Sequence, residues 1–365
     1  MGVDVGAKAK ALLDAEALSF SDGAITLHSD GGVPLRNLGT GSSRLLLAAL
    51  HREASSAASC LLVDEVEHGL EPHRVIRLLH SLGSKDTDVP FQVFMTTHSA
   101  VAVRELSGDQ LVIVRKVDGG HHQMRLVSSE NAVQGVARLY PEAFLARTVI
   151  VCEGASEVGL LRGIDRYRVS KGRQSAYASA TSFVDAGGRS PEHILERARV
   201  FAQWGYRTKA FLDADVDIPA KARKAAEADG VTVCTWGDSL ALEEALFKWL
   251  PDHGVDDLIE LAIELNSEEL VGGALEEVSK KKLDLESVLD LVRGDAQYED
   301  EERAFLGKAA KLSTKDSKVG PGRKGWFKSI SKMELVGEKV VGPWIKDAEP
   351  ELKKPIFALF RQSDE

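Results

Sequence analysis

The chain has 365 residues, 44% of them hydrophobic and 28% charged, and a formal net charge of −10, a profile ordinary for a soluble globular protein of two or three domains. That charge argues against a protein that coats nucleic acid non-specifically, because such affinity comes from many Lys and Arg contacts to phosphate. No apolar run approaches the ~18 residues that span a bilayer, and the N-terminal stretch lacks the apolar core and cleavage site of a signal peptide, so the cytoplasm is the expected compartment.

The predicted elements alternate between strand and helix. Residues 24–28 read as a short strand, residues 44–57 as a Leu- and Ala-rich helix, and residues 60–64 as a buried parallel strand ending in an acid. A helix is predicted over 73–82 and a strand over 91–95, followed by a hairpin with strands at 111–116 and 123–127 around Asp118-Gly-Gly. A second unit follows, with strands at 148–152, 181–184, 209–212 and 231–234 and helices at 157–167, 191–204 and 219–228. Such alternation implies an α/β fold with a mainly parallel sheet covered on both faces. From residue 242 onward the chain is mostly helical and acidic, interrupted by a basic, Gly-rich stretch at 314–328. Cys60, Cys152 and Cys234 each fall in an apolar run and are expected to be small core residues, since no C-x-x-C pair suggests zinc or redox chemistry.

Three features of the first unit occur in a fixed order. Leu-Gly-Thr-Gly-Ser-Ser-Arg at 38–44 leads into a helix, where Gly41 and Ser42 can present backbone N–H groups to a phosphate. Leu-Leu-Val-Asp-Glu at 61–65 puts Asp64 and Glu65 at a strand end, one acid suited to hold Mg²⁺ through water and the other to polarise an attacking water. His98 ends the next strand, in position to contact a γ-phosphate. Together, with Leu-Glu-Pro-His at 70–73, they resemble the C-terminal half of an ABC-type ATPase domain: signature loop, Walker B, D-loop and switch His, over about residues 20–130. The signature loop departs from that family's Leu-Ser-Gly-Gly-Gln, and no G-x-x-x-x-G-K-[ST] occurs anywhere. The resemblance therefore implies a piece whose N-terminal nucleotide-binding half is absent, with ATP bound only when that half is supplied and no ATP turnover by this polypeptide alone.

The second unit carries acids at two strand tips. Glu153 follows the strand at 148–152, Gly154 permits a tight turn, and Glu157 lies in the first turn of the next helix. Sixty residues on, Asp213 and Asp215 end another strand, where alternation is expected to send both to one side. Ligand sites in open α/β sheets lie at such carboxyl ends. Four carboxylates in water-poor surroundings repel strongly without cations, and oxygen-only ligands favour Mg²⁺ or Mn²⁺. Asp185-Ala-Gly-Gly ends a further strand, and its glycines are read equally as a close approach to phosphate or as a plain loop.

A Glu on one strand with Asp-x-Asp on another resembles the Toprim fold of topoisomerases, primases and related nucleases. With Glu-x-x-x-Glu and the ATPase-like half upstream, residues 20–245 look like the OLD (overcoming lysogenization defect) family of nucleases, class 2. The resemblance implies a partial ATPase domain over 1–143, a Toprim domain over 144–241 and a helical region over 242–365. It also implies a further acid after the last strand, with Glu243 first and Glu244 second, and a cation in the basic stretch, with Lys328 first and Lys324 second. In the mechanism so implied, Glu153, Asp213 and Glu243 bind one Mg²⁺, Glu157 and Asp215 a second, and Lys328 offsets charge on the scissile phosphate. DNA is the expected substrate, a homodimer or larger assembly the expected state, and a helicase partner and an anti-phage role follow from the family alone. The competing readings are a Toprim topoisomerase or primase, although no tyrosine or zinc module stands out for either, and a non-catalytic ATP-gated DNA clamp.

Overall fold

The computed structural model describes residues 10–13, 25–53, 60–86, 92–116, 118–127, 131–294, 297–312 and 325–361; Lys324 falls outside them. They divide into two compact units, Met1–Leu145 and Ala146–Glu365.

The first unit runs β1 (Lys10–Leu13), β2 (Ile25–His28), α1 (Thr40–Glu53), β3 (Cys60–Val63), α2 (Pro72–Ser81), β4 (Gln92–Met95), α3 (Ala100–Glu105), β5 (Val112–Lys116), β6 (His122–Leu126), α4 (Asn131–Leu139) and α5 (Glu142–Leu145). Strands β1 and β2 pair antiparallel, β3 and β4 parallel, and β5 and β6 antiparallel. Helix α2 opens with Pro72, whose missing N–H is no loss in a first turn, and buries Val75, Leu78 and Leu79 at helical spacing. The buried-strand expectation for residues 60–64 is corrected. Strand β3 alternates between exposed and half-buried, Leu62 is 76% exposed, and Cys60 is exposed too. Among the described residues the β3–β4 sheet has two strands, and a run of four apolar residues reads the same whether one face is covered or two.

The second unit runs β7 (Thr148–Cys152), α6 (Ala155–Ser170), β8 (Thr181–Asp185), α7 (Pro191–Gln203), β9 (Arg207–Phe211), α8 (Ala220–Ala228) and β10 (Thr232–Cys234). Its four strands are all parallel, in the order β10-β9-β7-β8. The α/β class and the parallel sheet expected from the alternation are what the fold shows. Central strand β7 has Val149, Ile150, Val151 and Cys152 completely buried, as a sheet covered on both faces requires. Helices α9 (Leu242–Trp249), α10 (Asp252–Leu265), α11 (Glu268–Ser279), α12 (Leu285–Gly294), α13 (Asp300–Lys311), α14 (Ile330–Val336), a π-helical turn at Gly337–Val341, α15 (Gly342–Trp344) and α16 (Pro350–Phe360) follow. Sheet residues Ile150, Phe183 and Phe211 share one core with Phe247, Leu258, Leu306, Phe327 and Leu352 of the helical region. Trp326 and Phe327, in a stretch whose composition suggests a solvated loop, are 3% and 0% exposed.

Helix α6 and the α14–π-turn segment cross at near contact. A Cβ on Gly163 would overlap the carbonyl of Glu334, and one on Gly337 would overlap that of Leu160. Backbone against backbone leaves nothing flexible to yield, so Gly163→Ala is expected to destabilise the fold by about 2 kcal/mol or more. Gly135→Ala, at a helical position with open space around it, is expected to be neutral or to stabilise by about 0.5–1 kcal/mol. Equilibrium denaturation of both variants tests the contrast, and equal stabilities would refute it.

Candidate metal centre

Strand order alone marks one place in the second unit. The chain leaves β7 towards β8 on one side and returns to β9 on the other, so the crevice at the carboxyl ends of β7 and β9 is a topological switch point, where ligands of open α/β sheets bind. Glu153 follows β7 directly, and its backbone is pinned from both sides: its N–H donates to Phe211 O at 3.0 Å, and its carbonyl accepts from Gly188 N at 2.8 Å. Its Oε2 accepts the Asp213 N–H at 3.0 Å, while Asp213 Oδ2 accepts the N–H of Leu242, first residue of α9, at 3.1 Å. Glu153, Asp213 and Asp215 each bring a carboxylate oxygen within 4.8 Å of the others.

This convergence has a different cause from the one expected. Strand β9 ends at Phe211, so strand alternation does not direct Asp213 and Asp215. A loop turns them instead, held by the Ala214 N–H on Leu240 O at 3.1 Å and by the Asp213–α9 bond. Asp215 consequently groups with Glu153 and Asp213 rather than with Glu157.

Glu157 and Glu243 lie deeper, 5% and 1% exposed. Glu157 Oε2 accepts the Gly154 N–H at 2.7 Å, closing the first turn of α6. Desolvation, then Glu153 and Glu243, push the Glu157 carboxyl up to about 7. Asp213 is raised in the same way, by burial first and then by Glu157, Glu153 and Glu243. Burial also raises Glu153, with Asp215 adding to it. Among the described residues, Asp213 Oδ1 and both Glu243 carboxylate oxygens are buried without a hydrogen-bond donor. An acceptor-only cluster with orphaned oxygens fits an oxygen-loving divalent cation, which would satisfy those oxygens and relieve the mutual repulsion.

Among the described residues, two ammonium groups flank the acids. Lys328 Nζ lies 3.2 Å from Glu243 Oε1, an ion pair by distance but without the alignment of a hydrogen bond. Burial lowers Lys328, but Glu243, Asp213 and Glu157 outweigh it and the net shift is upward. Lys311, which the sequence reading missed, ends α13 with its Nζ 3.0 Å from Asp215 Oδ2 and 3.3 Å from Glu244 Oε2. Burial works against its charge, yet Asp215 and Glu244 raise it overall. Nothing in the local sequence distinguishes Lys311 from Lys308 except helical phase, and the approach to Asp215 spans 96 residues. The choice between the late acids takes a geometric form: Glu243 faces the cluster, while Glu244 Oε2 caps its own helix through the Ala241 N–H at 3.1 Å. The Asp185 loop closes on itself, with Asp185 Oδ1 accepting the Gly187 N–H at 2.6 Å.

In the first unit, Asp64 Oδ1 accepts Thr96 Oγ1 at 2.5 Å, and the Glu65 N–H donates to the same hydroxyl at 2.8 Å. The His98 N–H donates to Glu67 Oε1 at 2.7 Å, and Thr97 Oγ1 to Glu67 Oε2 at 2.6 Å. Glu67 and the two threonines thus tie β4 to the acidic loop, a connection the sequence reading did not single out. Gly41 and Ser42 lie in the first turn of α1. A Cβ on Gly41 would sit 2.5 Å from Gly69 O, so packing against that loop accounts for this glycine, and Ser42 Oγ accepts Arg74 Nη1 at 3.1 Å.

No helix among the described residues is long and apolar enough to cross a membrane. No curated protein matches the chain. Among solved structures it is similar to the C-terminal region of the Xanthomonas campestris pv. campestris OLD protein, at 13% identity over 55% of this chain and 96% of that one, with a TM-score of 0.25. Residues 12–104 match the family model described as "AAA domain, putative AbiEii toxin, Type IV TA system", an ATPase-type segment that includes Gly41, Ser42, Asp64, Glu65 and His98.

Proposed function

We propose that this chain is a divalent-cation-dependent endonuclease of the OLD type that cuts DNA phosphodiesters with a Toprim domain over 144–241, attached to an ATPase-type domain over 1–143. The observation that carries the reading is the meeting of Glu153, Asp213 and Asp215 at a sheet switch point, with buried acceptor oxygens left unsatisfied beside them. Glu153, Asp213 and Asp215 would hold one Mg²⁺ or Mn²⁺, and Glu157 with Glu243 would complete a second position. Bound there, such ions supply a Lewis acid for a phosphoryl oxygen and make water acidic enough to attack near neutral pH. The chain's own contribution is preorganisation. The Asp213 N–H orients Glu153, the Leu242 N–H orients Asp213, and the Gly154 N–H orients Glu157. Lys328 brings a cation to the cluster, 3.2 Å from Glu243, where it would offset charge growing on a scissile phosphate. Assembly as a homodimer or larger oligomer and a helicase partner are further parts of this proposal, taken from the family resemblance.

Supercoiled plasmid incubated with the purified chain and Mg²⁺ or Mn²⁺ should yield nicked and linear products, without added ATP, and none in EDTA. Relaxed covalently closed circles would instead indicate a topoisomerase, and plasmid retained intact on the protein a clamp. Lys328→Met should slow cleavage on the order of 10²-fold. Lys311 competes with a cation for Asp215, so Lys311→Met should tighten Mn²⁺ binding measured by calorimetry. Weaker binding in that variant would show that Lys311 organises the acids instead of opposing the ion.

A further inference from the structure

The opposite end of the same strands carries a second, chemically contrary feature. A cavity of about 420 Å³ opens at the amino ends of β7, β8 and β9, within the roughly 300–1,000 Å³ of pockets that enclose a small ligand. Arg147, Arg168, Arg207, Lys209 and Arg361 line it, and among the described residues no acid lines it, with Asp165 lying behind Arg168 at 3.8 Å. In a chain whose net charge is −10, five cations around one cavity are a strong local reversal of sign. Thr148, Ser179 and Thr181 add hydroxyl groups to the wall.

The wall is built, not merely charged. Lys209 Nζ donates to the carbonyls of Ala358, Leu359 and Arg361 at 2.8, 3.0 and 2.7 Å, which fastens the end of α16 to β9. Burial lowers this lysine, and the carbonyl cage marks it as an anchor for the wall. The Arg168 guanidinium lies over the Phe360 ring, 4.5 Å from its centroid, a cation–aromatic pair that holds the guanidinium in place. Planar guanidinium forks match phosphate oxygens two at a time. Thr148 at this end and Glu153 at the other are five residues apart along β7, about 17 Å at strand rise, so one phosphate cannot touch both sites.

We propose that this cavity binds a terminal phosphate group, as carried by a free nucleotide or by the 5′ end of a nucleic-acid strand, separately from the carboxylate cluster. The guanidinium groups of Arg147, Arg207 and Arg361 grip the phosphate, while Arg168 on Phe360 presents a flat surface for a base. The site stands whether or not the carboxylate cluster cuts DNA, because it requires no divalent cation.

Titration calorimetry on the full chain in EDTA tests this with 5′-AMP, adenosine, and one oligonucleotide carrying either a 5′-phosphate or a 5′-hydroxyl. The expected result is saturable binding of 5′-AMP and none of adenosine. Preference for the 5′-phosphorylated strand over its 5′-hydroxyl form identifies the strand end as the source, and binding of 5′-AMP alone identifies a free nucleotide. Arg207→Gln and Arg147→Gln, both at exposed positions, should each weaken binding about tenfold, and the double variant more. Asp213→Asn should leave it unchanged. Failure of 5′-AMP and the phosphorylated strand alike to bind overturns the proposal, as does binding that survives the double variant or is lost in Asp213→Asn.

Discussion

Asp213→Asn is expected to remove cation-dependent plasmid cleavage by on the order of 10³-fold while making the metal-free protein more stable. The two effects share one cause. Asp213 is half-buried with its Oδ1 shut off from solvent, and its carboxyl is raised by desolvation first and then by Glu157, Glu153 and Glu243. Near neutral pH its ionised form opposes the fold unless a cation offsets it. An amide keeps the shape and can still accept the Leu242 N–H, but it brings no charge to repel its neighbours or to hold a metal. Thermal denaturation in EDTA and in Mg²⁺ separates the effects. The natural protein should gain stability from Mg²⁺ and the variant little. A variant that is inactive and also less stable in EDTA would place Asp213 in an ordinary structural role.

The metal-free protein should lose stability as pH rises from about 4.5 to about 7, and Glu157→Gln should remove much of that slope. Burial lifts the Glu157 carboxyl from 4.5 to about 7. Between those values the folded state holds a proton that the unfolded chain has released, so stability falls with rising pH and levels off above the upper value. Asp213 contributes with the same sign. Carboxylates whose values are lowered, such as Glu105 beside His80 and Lys85, act in the opposite sense at lower pH. The informative quantity is therefore the difference between the natural protein and the Gln variant. Cation binding needs ionised carboxylates, so affinity for Mg²⁺ should climb across the same window with protons released on binding. Calorimetry in buffers of different ionisation enthalpy measures that release. Its absence at about pH 6 would refute the assignment of Glu157 and Asp213 to the ion site.

The second unit was legible in the sequence to a large extent. Residues 149–152 are apolar without alternation and are followed by Glu153; such a run reads as a central parallel strand, and β7 is one. The same rule failed for Cys60, because an apolar run does not say how many faces are covered. It also failed for Trp326 and Phe327, whose charged and Gly-rich flanks read as solvent-exposed although both side chains are buried.

Local periodicity and strand-end chemistry therefore determined the α/β class, the strands of the second sheet and the four acids Glu153, Glu157, Asp213 and Asp215, since each depends only on neighbours a few residues away, while Glu243 rested on the family resemblance alone. Tertiary structure decided which of those acids meet, because a loop and the N-terminus of α9 turn Asp213 where strand alternation does not reach. It also decided which lysines face them: Lys328, named beforehand only through the family resemblance, and Lys311, not named at all, reach Glu243 and Asp215 across 85 and 96 residues of chain, and no local pattern encodes a contact between groups that far apart. The basic cavity at the far end of β7 is of the same kind, assembled from arginines that are neighbours only once the sheet and α16 have closed around it.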